Sequence, residues 1–375
     1  MTATVDLPPL IITGIDAMLV RLPLKKPMLM AGVRIEAAEN LLVRIEAADG
    51  TIGWGEAASA PTMTGDLPAG MLAAVALLRP LLMGRDAFAH PQLSRACQQA
   101  LHGSGAAKSA LDMAVLDLCG RRLGVPLWAL LGGKLRNELR PMFLLGNPSV
   151  QADIEEARDR LQRGIGFFKI KVGVKPLAEE IDTTHRLREA LGSDVTLCAD
   201  ANMGFAPEQA RRYAQAVAQA DLLFLEQPLR SEDLRGMAML ARNSPVPLCA
   251  DEPIGSVADI LDYHAAAAAQ GINLKTIKLG GVSATAQAAV VCQALGLSIN
   301  LACKVAESSI GAAALVQLGA TVGNLDWGLS ITNHYLAEEL TLEPIQARDG
   351  VIRVPDRPGL GIDVDVERVQ RFRVC

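Results

Sequence analysis

The chain has 375 residues, half of them hydrophobic, 21% charged and 3% aromatic, a length that suits a barrel plus a smaller domain with a sizeable buried core. Its 36 Lys and Arg against 41 Asp and Glu leave a net charge of −5 with no basic block, so no nucleic-acid partner is expected. The longest apolar stretches, such as Leu111 to Cys119, fall short of the roughly 20 residues that a membrane helix needs, so no membrane partner is expected either. Met1 to Pro9 shows neither a basic nor an apolar export segment, and seven scattered cysteines without a CxxC pair suit a reducing compartment, so the expected location is cytoplasmic. Five distant histidines make no HExxH helix, and any metal is expected to be held by oxygen.

Leu10 to Glu56 reads as a small antiparallel sheet. Ile11 to Leu22 leads into a Lys/Pro/Met loop over Leu24 to Gly32, and Asn40 to Glu46 and Ile52 to Glu56 flank a turn at Asp49-Gly50. Helical periodicity follows over Gly70 to Leu82 and again over Ala106 to Leu123, where Ala107, Ala110, Leu111, Ala114 and Leu118 share one face. After Leu131-Gly132-Gly133 the texture changes to eight short apolar runs alternating with amphipathic or Ala-rich segments. The runs are Pro141 to Leu145, Phe167 to Val172, Val195 to Ala199, Leu222 to Leu225, Val246 to Ala250, Ile272 to Lys275, Leu297 to Ala302 and Leu325 to Leu329. This predicts an α/β protein: a modified (β/α)₈-type TIM barrel over 132–334, an N-terminal α+β capping domain over 1–131, and a C-terminal segment, 335–375, that returns to complete the cap.

Charged residues stand at or just past the ends of successive predicted strands: Lys169 and Lys171 in FFKIKVG, Asp200 in LCADAN, Glu226 in FLEQP, Asp251 in LCADEP and Lys275 in INLKTIKLGG. Steps of 29, 26, 25 and 24 residues separate Lys171, Asp200, Glu226, Asp251 and Lys275, each close to one β/α unit. In a barrel these ends converge on the face that carries active sites. One such acid is commonly a helix N-cap, but three in register on consecutive strands form a donor set for a hard cation such as Mg²⁺.

Lys169 and Lys171, two apart on a strand, point to one face. A second ammonium nearby favours a neutral lysine, whereas the three carboxylates pull the other way. Lys275 lies four strands away, across the ring from Lys171. Two opposed lysines and a cation suit removal of a proton α to a carboxylate, with each lysine able to act as base or acid.

At these residues the chain resembles the enolase superfamily, and within it the muconate-lactonizing-enzyme (muconate cycloisomerase) subgroup, marked by KxK on the second barrel strand, acids on strands three to five and Lys on strand six. The resemblance extends to GAAKSALDMAVLDLCGRRLGVPLWALLGG and to the tail PDRPGLG. It implies that Asp200, Glu226 and Asp251 bind Mg²⁺ or Mn²⁺, that Lys171 and Lys275 are the acid/base pair, and that Lys169 assists Lys171 and neutralises substrate carboxylate. Asn202 and Glu252 are candidates to support the metal acids. The resemblance further implies a small carboxylate substrate and a homo-oligomer.

In that subgroup the end of strand eight helps select substrate, through Asp-x-Asp in dipeptide epimerases and Glu in muconate cycloisomerases. Here WGLSITNHYL places Ser330 and Thr332 where those acids would fall, which disfavours dipeptide epimerase and departs from the muconate pattern. Lys304, in NLACKVAES, is a candidate anchor for a substrate carboxylate, and Glu307 a helix-start acid or a partner for a lysine. Strand seven lacks the His that sugar-acid dehydratases of the superfamily use. Lys25, Lys26, Met28 and Met30 on one cap loop and Thr62, Met63 and Thr64 on another are candidate specificity positions. The expected activity is a metal-dependent isomerase acting α to a carboxylate, as a muconate-type cycloisomerase or a racemase/epimerase. A lyase or dehydratase working through the same enolate, and a barrel used only for binding, are the competing readings. No P-loop, GxGxxG or GxSxG element is present.

Overall fold

A computed structural model describes residues 7–30 and 33–374, with the side chains of 29, 30 and 33 outside that description. The chain opens with strands β1 (Ile12–Met30), β2 (Val33–Ala47) and β3 (Ile52–Ala58). They form an antiparallel sheet whose fourth strand is the C-terminal Arg373–Val374, in the order Arg373–Val374, β1, β2, β3. The segment expected to be a loop after Leu22 is instead strand through Met30. Pro23 and Pro27 read as breakers, but the β1–β2 ladder shifts register between Pro23 and Met28 and resumes at Met28 opposite Ile35.

Both faces of this sheet are buried, and alternation explains how. Met18, Val20, Leu22, Leu24 and Leu42 face the barrel core, whereas Ile15, Leu41, Val43 and Ile45 face the helices α1 (Pro68–Leu82), α2 (His90–Ala100) and α3 (Gly105–Leu123). Helix α2 escapes pattern reading because only Leu93 and Cys97 of its eleven residues are buried. Helix α3 is buried on all sides from Ala106 to Gly120 and contributes to both cores. Its backbone lies directly on β3, since a Cβ at Gly53 or Gly55 would collide with the carbonyl oxygens of Ala114 and Ala110. Asp117 of α3, fully buried, accepts from Trp54 N at 2.9 Å, Leu360 N at 2.7 Å and the Arg121 guanidinium, tying the C-terminal tail to the cap.

The barrel is an eight-stranded parallel sheet in sequence order: Phe143–Leu145, Phe167–Lys171, Thr196–Asp200, Leu222–Glu226, Leu248–Ala250, Gly271–Leu274, Ser298–Ala302 and Leu329–Ser330. First and last strands approach through a bridge from Pro141 to Leu329, with Met142 N donating to Leu329 O at 2.7 Å, so the ring is nearly closed. Helices Val150–Gln162, Leu177–Leu191, Pro207–Ala216, Leu234–Ala241, Val257–Ala265, Val282–Ala294 and Ser309–Thr321 cover it. In the place of an eighth covering helix the single turn Asn333–Tyr335 follows the last barrel strand, and the tail beyond it carries strand Ile352–Arg353 and helix Val366–Phe372 before Arg373–Val374.

Inside the ring, Met142, Cys198, Phe224, Cys249 and Trp327 form an apolar plug, with Phe224 and Trp327 stacked at 4.6 Å. Cys198, Phe224 and Cys249 each precede a strand-end acid by two residues, so the pleat raises Asp200, Glu226 and Asp251 above the plug on the same inner face. Cys97, Cys119, Cys198, Cys249, Cys292 and Cys303 are buried and unpaired, and Cys375 lies outside the described residues. Among the described residues no helix is long and apolar enough to cross a membrane.

Candidate active site

The strand ends surround a small, solvent-connected cavity. Lys169, Lys171, Asp200, Asn202, Glu226, Asp251, Lys275, Lys304, Ser330 and Thr332 line it, as does Met63 from the cap. Leu144, Asn273 and Tyr335 also line it, three residues that carry no charge or motif to mark them in the sequence. Thr62 lies instead on an outer groove, and Glu307 is buried behind the cavity wall. The side chain of Met30 is outside the described residues. Lys25 and Lys26 turn to the barrel rim: Lys25 Nζ donates to His334 O and Lys26 Nζ to Asn147 Oδ1, both at 2.8 Å. Thr64 closes its own turn on Asp66 at 2.7 Å.

Each strand-end acid holds an ammonium. Lys169 pairs with Glu226, Lys171 with Asp200 at 2.5 Å and with Asn202 Oδ1, and Lys275 with Asp251. A further lysine, Lys278, joins Asp251 at 2.7 Å and donates to Asn273 O at 2.9 Å. The single helical turn Thr276–Leu279 places Lys278 on the same side as Lys275, a three-residue spacing visible in LKTIK.

Burial and mutual charge set the electrostatics. Desolvation and then Asp200 push the Glu226 carboxyl up, against the pull of Lys169. Burial opposes ionisation of Asp251, yet Lys275 and Lys278 hold its carboxyl well below the usual range. Burial likewise works against the charge on Lys275, and Asp251, Glu226 and Glu252 overcome it, raising its pKa. Lys169 is raised in the same way, with Glu226 and Asp200 outweighing desolvation, so it stands in this structure as a charged partner of Glu226. Glu252 is pushed up to about 7 by burial, Asp251 and Asp200; it accepts from Asn202 Nδ2 at 3.0 Å. Asn202 (φ 40°) and Gln227 (φ 31°) adopt left-handed backbone just past two of the acids, a local conformational cost.

Among the described residues, no three His, Cys, Asp or Glu side chains stand in metal-holding geometry, and each strand-end acid is paired with a lysine. The donor chemistry nevertheless fits a hard divalent cation. Three buried carboxylates from adjacent strands line one cavity with Asn273, whose Oδ1 has no hydrogen-bond partner among the described residues.

Residues 152–369 match the family model described as enolase C-terminal domain-like, and residues 13–132 the N-terminal domain of mandelate racemase / muconate lactonizing enzyme. Muconate cycloisomerase 1 of Pseudomonas putida is 32% identical over 373 residues, covering 96% of this chain and 98% of its own. A hydrophobic dipeptide epimerase of Enterococcus faecalis is 29% identical, covering 81% of this chain and 86% of its own. The crystal structure of muconate lactonizing enzyme from Pseudomonas fluorescens complexed with muconolactone superposes with a TM-score of 0.95 at 29% identity, covering 98% of this chain and all of that one. With both halves matched, the chain belongs to the mandelate racemase/muconate lactonizing enzyme family of the enolase superfamily.

Proposed function

We propose that the chain is a divalent-metal-dependent isomerase that removes a proton α to a carboxylate. The observation that carries this reading is the placement of Lys171 and Lys275 on strands two and six, across one cavity that Asp200, Glu226 and Asp251 also line. Asp200, Glu226 and Asp251 would hold Mg²⁺ or Mn²⁺, which supplies positive charge for the reacting carboxylate as the α-carbon loses its proton.

One lysine, as the free amine, takes the α-proton, and the C–H electron pair moves into the carboxylate to give an enediolate. The opposite lysine, as ammonium, returns a proton to the same carbon from the other face, which inverts it. In a cycloisomerisation, a carboxylate oxygen adds to a conjugated double bond and a lysine protonates the resulting enolate carbon. Asn202 holds Lys171 and Glu252 through its two amide atoms, which fixes the head of Lys171. The apolar plug beneath the acids keeps water from the lower side of the site.

The test is incubation with Mg²⁺ in D₂O against muconates, N-acylamino acids, proline derivatives and dipeptides, with α-proton exchange read by NMR. Lys171→Ala and Lys275→Ala are each expected to lose about 10²-fold to 10⁴-fold in rate. Exchange that persists unchanged in both variants would refute the reading. Formation of a new unsaturated acid would identify elimination instead.

A further inference from the structure

Four lysines and three carboxylates line the cavity, and three of the lysines are matched one to one: Lys169 with Glu226, Lys171 with Asp200 and Lys275 with Asp251. Lys304 is the fourth. It is 8% exposed, and its Nζ has neither a carboxylate within 4.0 Å nor a hydrogen-bond acceptor within 3.5 Å among the described residues. A buried ammonium without a counter-ion is costly, and this one faces two further ammoniums across the cavity.

We propose that Lys304 is a specificity-determining residue that binds a second anionic group of the substrate, so that the acid acted on carries negative charge at both ends. This rests on the α-proton reading above, since it is the reacting carboxylate that occupies the lysine and acid cluster at the other side.

Three observations support the assignment. Glu307, the nearest acid in sequence, makes no ion pair with Lys304, and burial together with the neighbouring Glu56 pushes its carboxyl up to about 8, so it supplies little compensating charge near neutral pH. The base of the lysine is held rigidly, because Thr332 Oγ1 donates to Lys304 O at 2.8 Å and accepts from Glu307 N at 3.2 Å. That hydroxyl is therefore occupied, while Ser330 presents a second hydroxyl-bearing side chain on the same cavity wall as Lys304. Burial, followed by repulsion from Lys275 and Lys171, brings the Lys304 ammonium down to about 8, a strain that an incoming anion relieves.

The experiment compares succinate, glutarate and adipate with their monoamides, which keep the shape and lose one charge, using the Mg²⁺-loaded full chain as wild type, K304M and K304R. Binding is read by calorimetry and α-exchange by NMR in D₂O. Wild type is expected to bind at least one diacid on the order of tenfold or more tighter than its monoamide. K304M is expected to erase that ratio and K304R to keep most of it, with thermal melts confirming that each variant is folded. Equal binding of diacid and monoamide by wild type, no binding of either, or a ratio unchanged in folded K304M overturns the proposal. Selective diacid binding that depends on Lys304 but comes without exchange upholds the anion site and refutes the α-proton reading on these acids.

Discussion

Glu56 of strand β3 reaches across from the cap to close the N-terminus of the barrel helix Ser309–Thr321: its carboxylate accepts from Ser308 Oγ at 2.7 Å, Ser308 N at 2.9 Å and Gly311 N at 2.9 Å. Asn40 completes the junction, donating to Glu56 at 2.7 Å and to Ala306 O at 2.8 Å. An anion at a helix N-terminus is favourable, and here it also fixes the loop that carries Lys304. Glu56→Ala leaves the buried donors of Ser308, Gly311 and Asn40 without an acceptor. It is expected to destabilise the protein by about 3–5 kcal/mol, read by urea unfolding, with Glu56→Gln costing less. A loss below about 1 kcal/mol for the alanine variant would show that the junction is dispensable.

Gly55 decides how closely β3 approaches α3. A methyl group there has no room against the Ala110 carbonyl, and the atoms it would meet belong to the helix backbone, which cannot swing aside as a side chain would. Gly55→Ala is therefore expected to cost about 1–3 kcal/mol or more, measured in the same unfolding experiment, whereas Gly50→Ala, in an open turn at φ 83°, costs only its local backbone strain. Equal losses at the two positions would contradict the close-packing account.

The barrel was legible because five successive strands, the second to the sixth, end at a charge that an apolar run cannot otherwise explain. Lys171, Asp200, Glu226, Asp251 and Lys275 recur at one β/α period, and the cavity gathers all five. Pairing was not legible, because it depends on which side chains meet across the ring. The sequence shows two lysines at Lys169 and Lys171 and suggests that one lowers the pKa of the other, whereas the fold gives Lys169 its own carboxylate in Glu226. Lys278 hides inside the very motif that contains Lys275, since the strand read over Ile272 to Lys275 stops short of the helical turn that brings Lys278 to Asp251. Asn273 and Tyr335 are ordinary strand and turn residues until the fold places them on the cavity wall.

Since every strand-end acid already has a lysine, the fold is expected to persist without a metal. Chelation is expected to abolish α-proton exchange while leaving the far-UV circular dichroism intact. Adding back Mg²⁺ at about 100 times its dissociation constant is expected to stabilise the protein by about 2.7 kcal/mol through binding to the folded state alone. Unfolding on chelation would mean that the lysine pairs do not carry the charge balance seen here.

Asp251 is the most heavily shared of the acids, holding Lys275 and Lys278 together in a buried site. Asp251→Asn keeps the shape and removes the charge, leaving two buried ammoniums facing one another. The expected loss is about 3–5 kcal/mol, and the double variant Asp251→Asn with Lys278→Met is expected to recover part of it, because one of the stranded charges is gone. Additive losses in that double-mutant cycle would argue against the pairing.

Glu307 provides the pH dependence. It is buried, and desolvation followed by repulsion from Glu56 raises its carboxyl from an ordinary 4.5 to about 8, with Cys303 and Lys304 also beside it. A folded-state value above the unfolded one means that the folded protein binds the proton more tightly. The stability linked to this group is therefore present in full below pH 4.5 and is lost as pH rises through 8. A tenfold difference in proton affinity between the folded and unfolded chains is worth about 1.4 kcal/mol, so the fall across this window is on the order of a few kcal/mol. Glu307→Gln removes the titration while keeping the size of the side chain. Thermal unfolding at several pH values is expected to show the wild type declining over that window and the variant nearly flat, so that the two curves diverge toward the alkaline end with the variant the more stable. Parallel curves would place the proton elsewhere in the cap-to-barrel junction, with Glu56 the next acid to test by the same substitution.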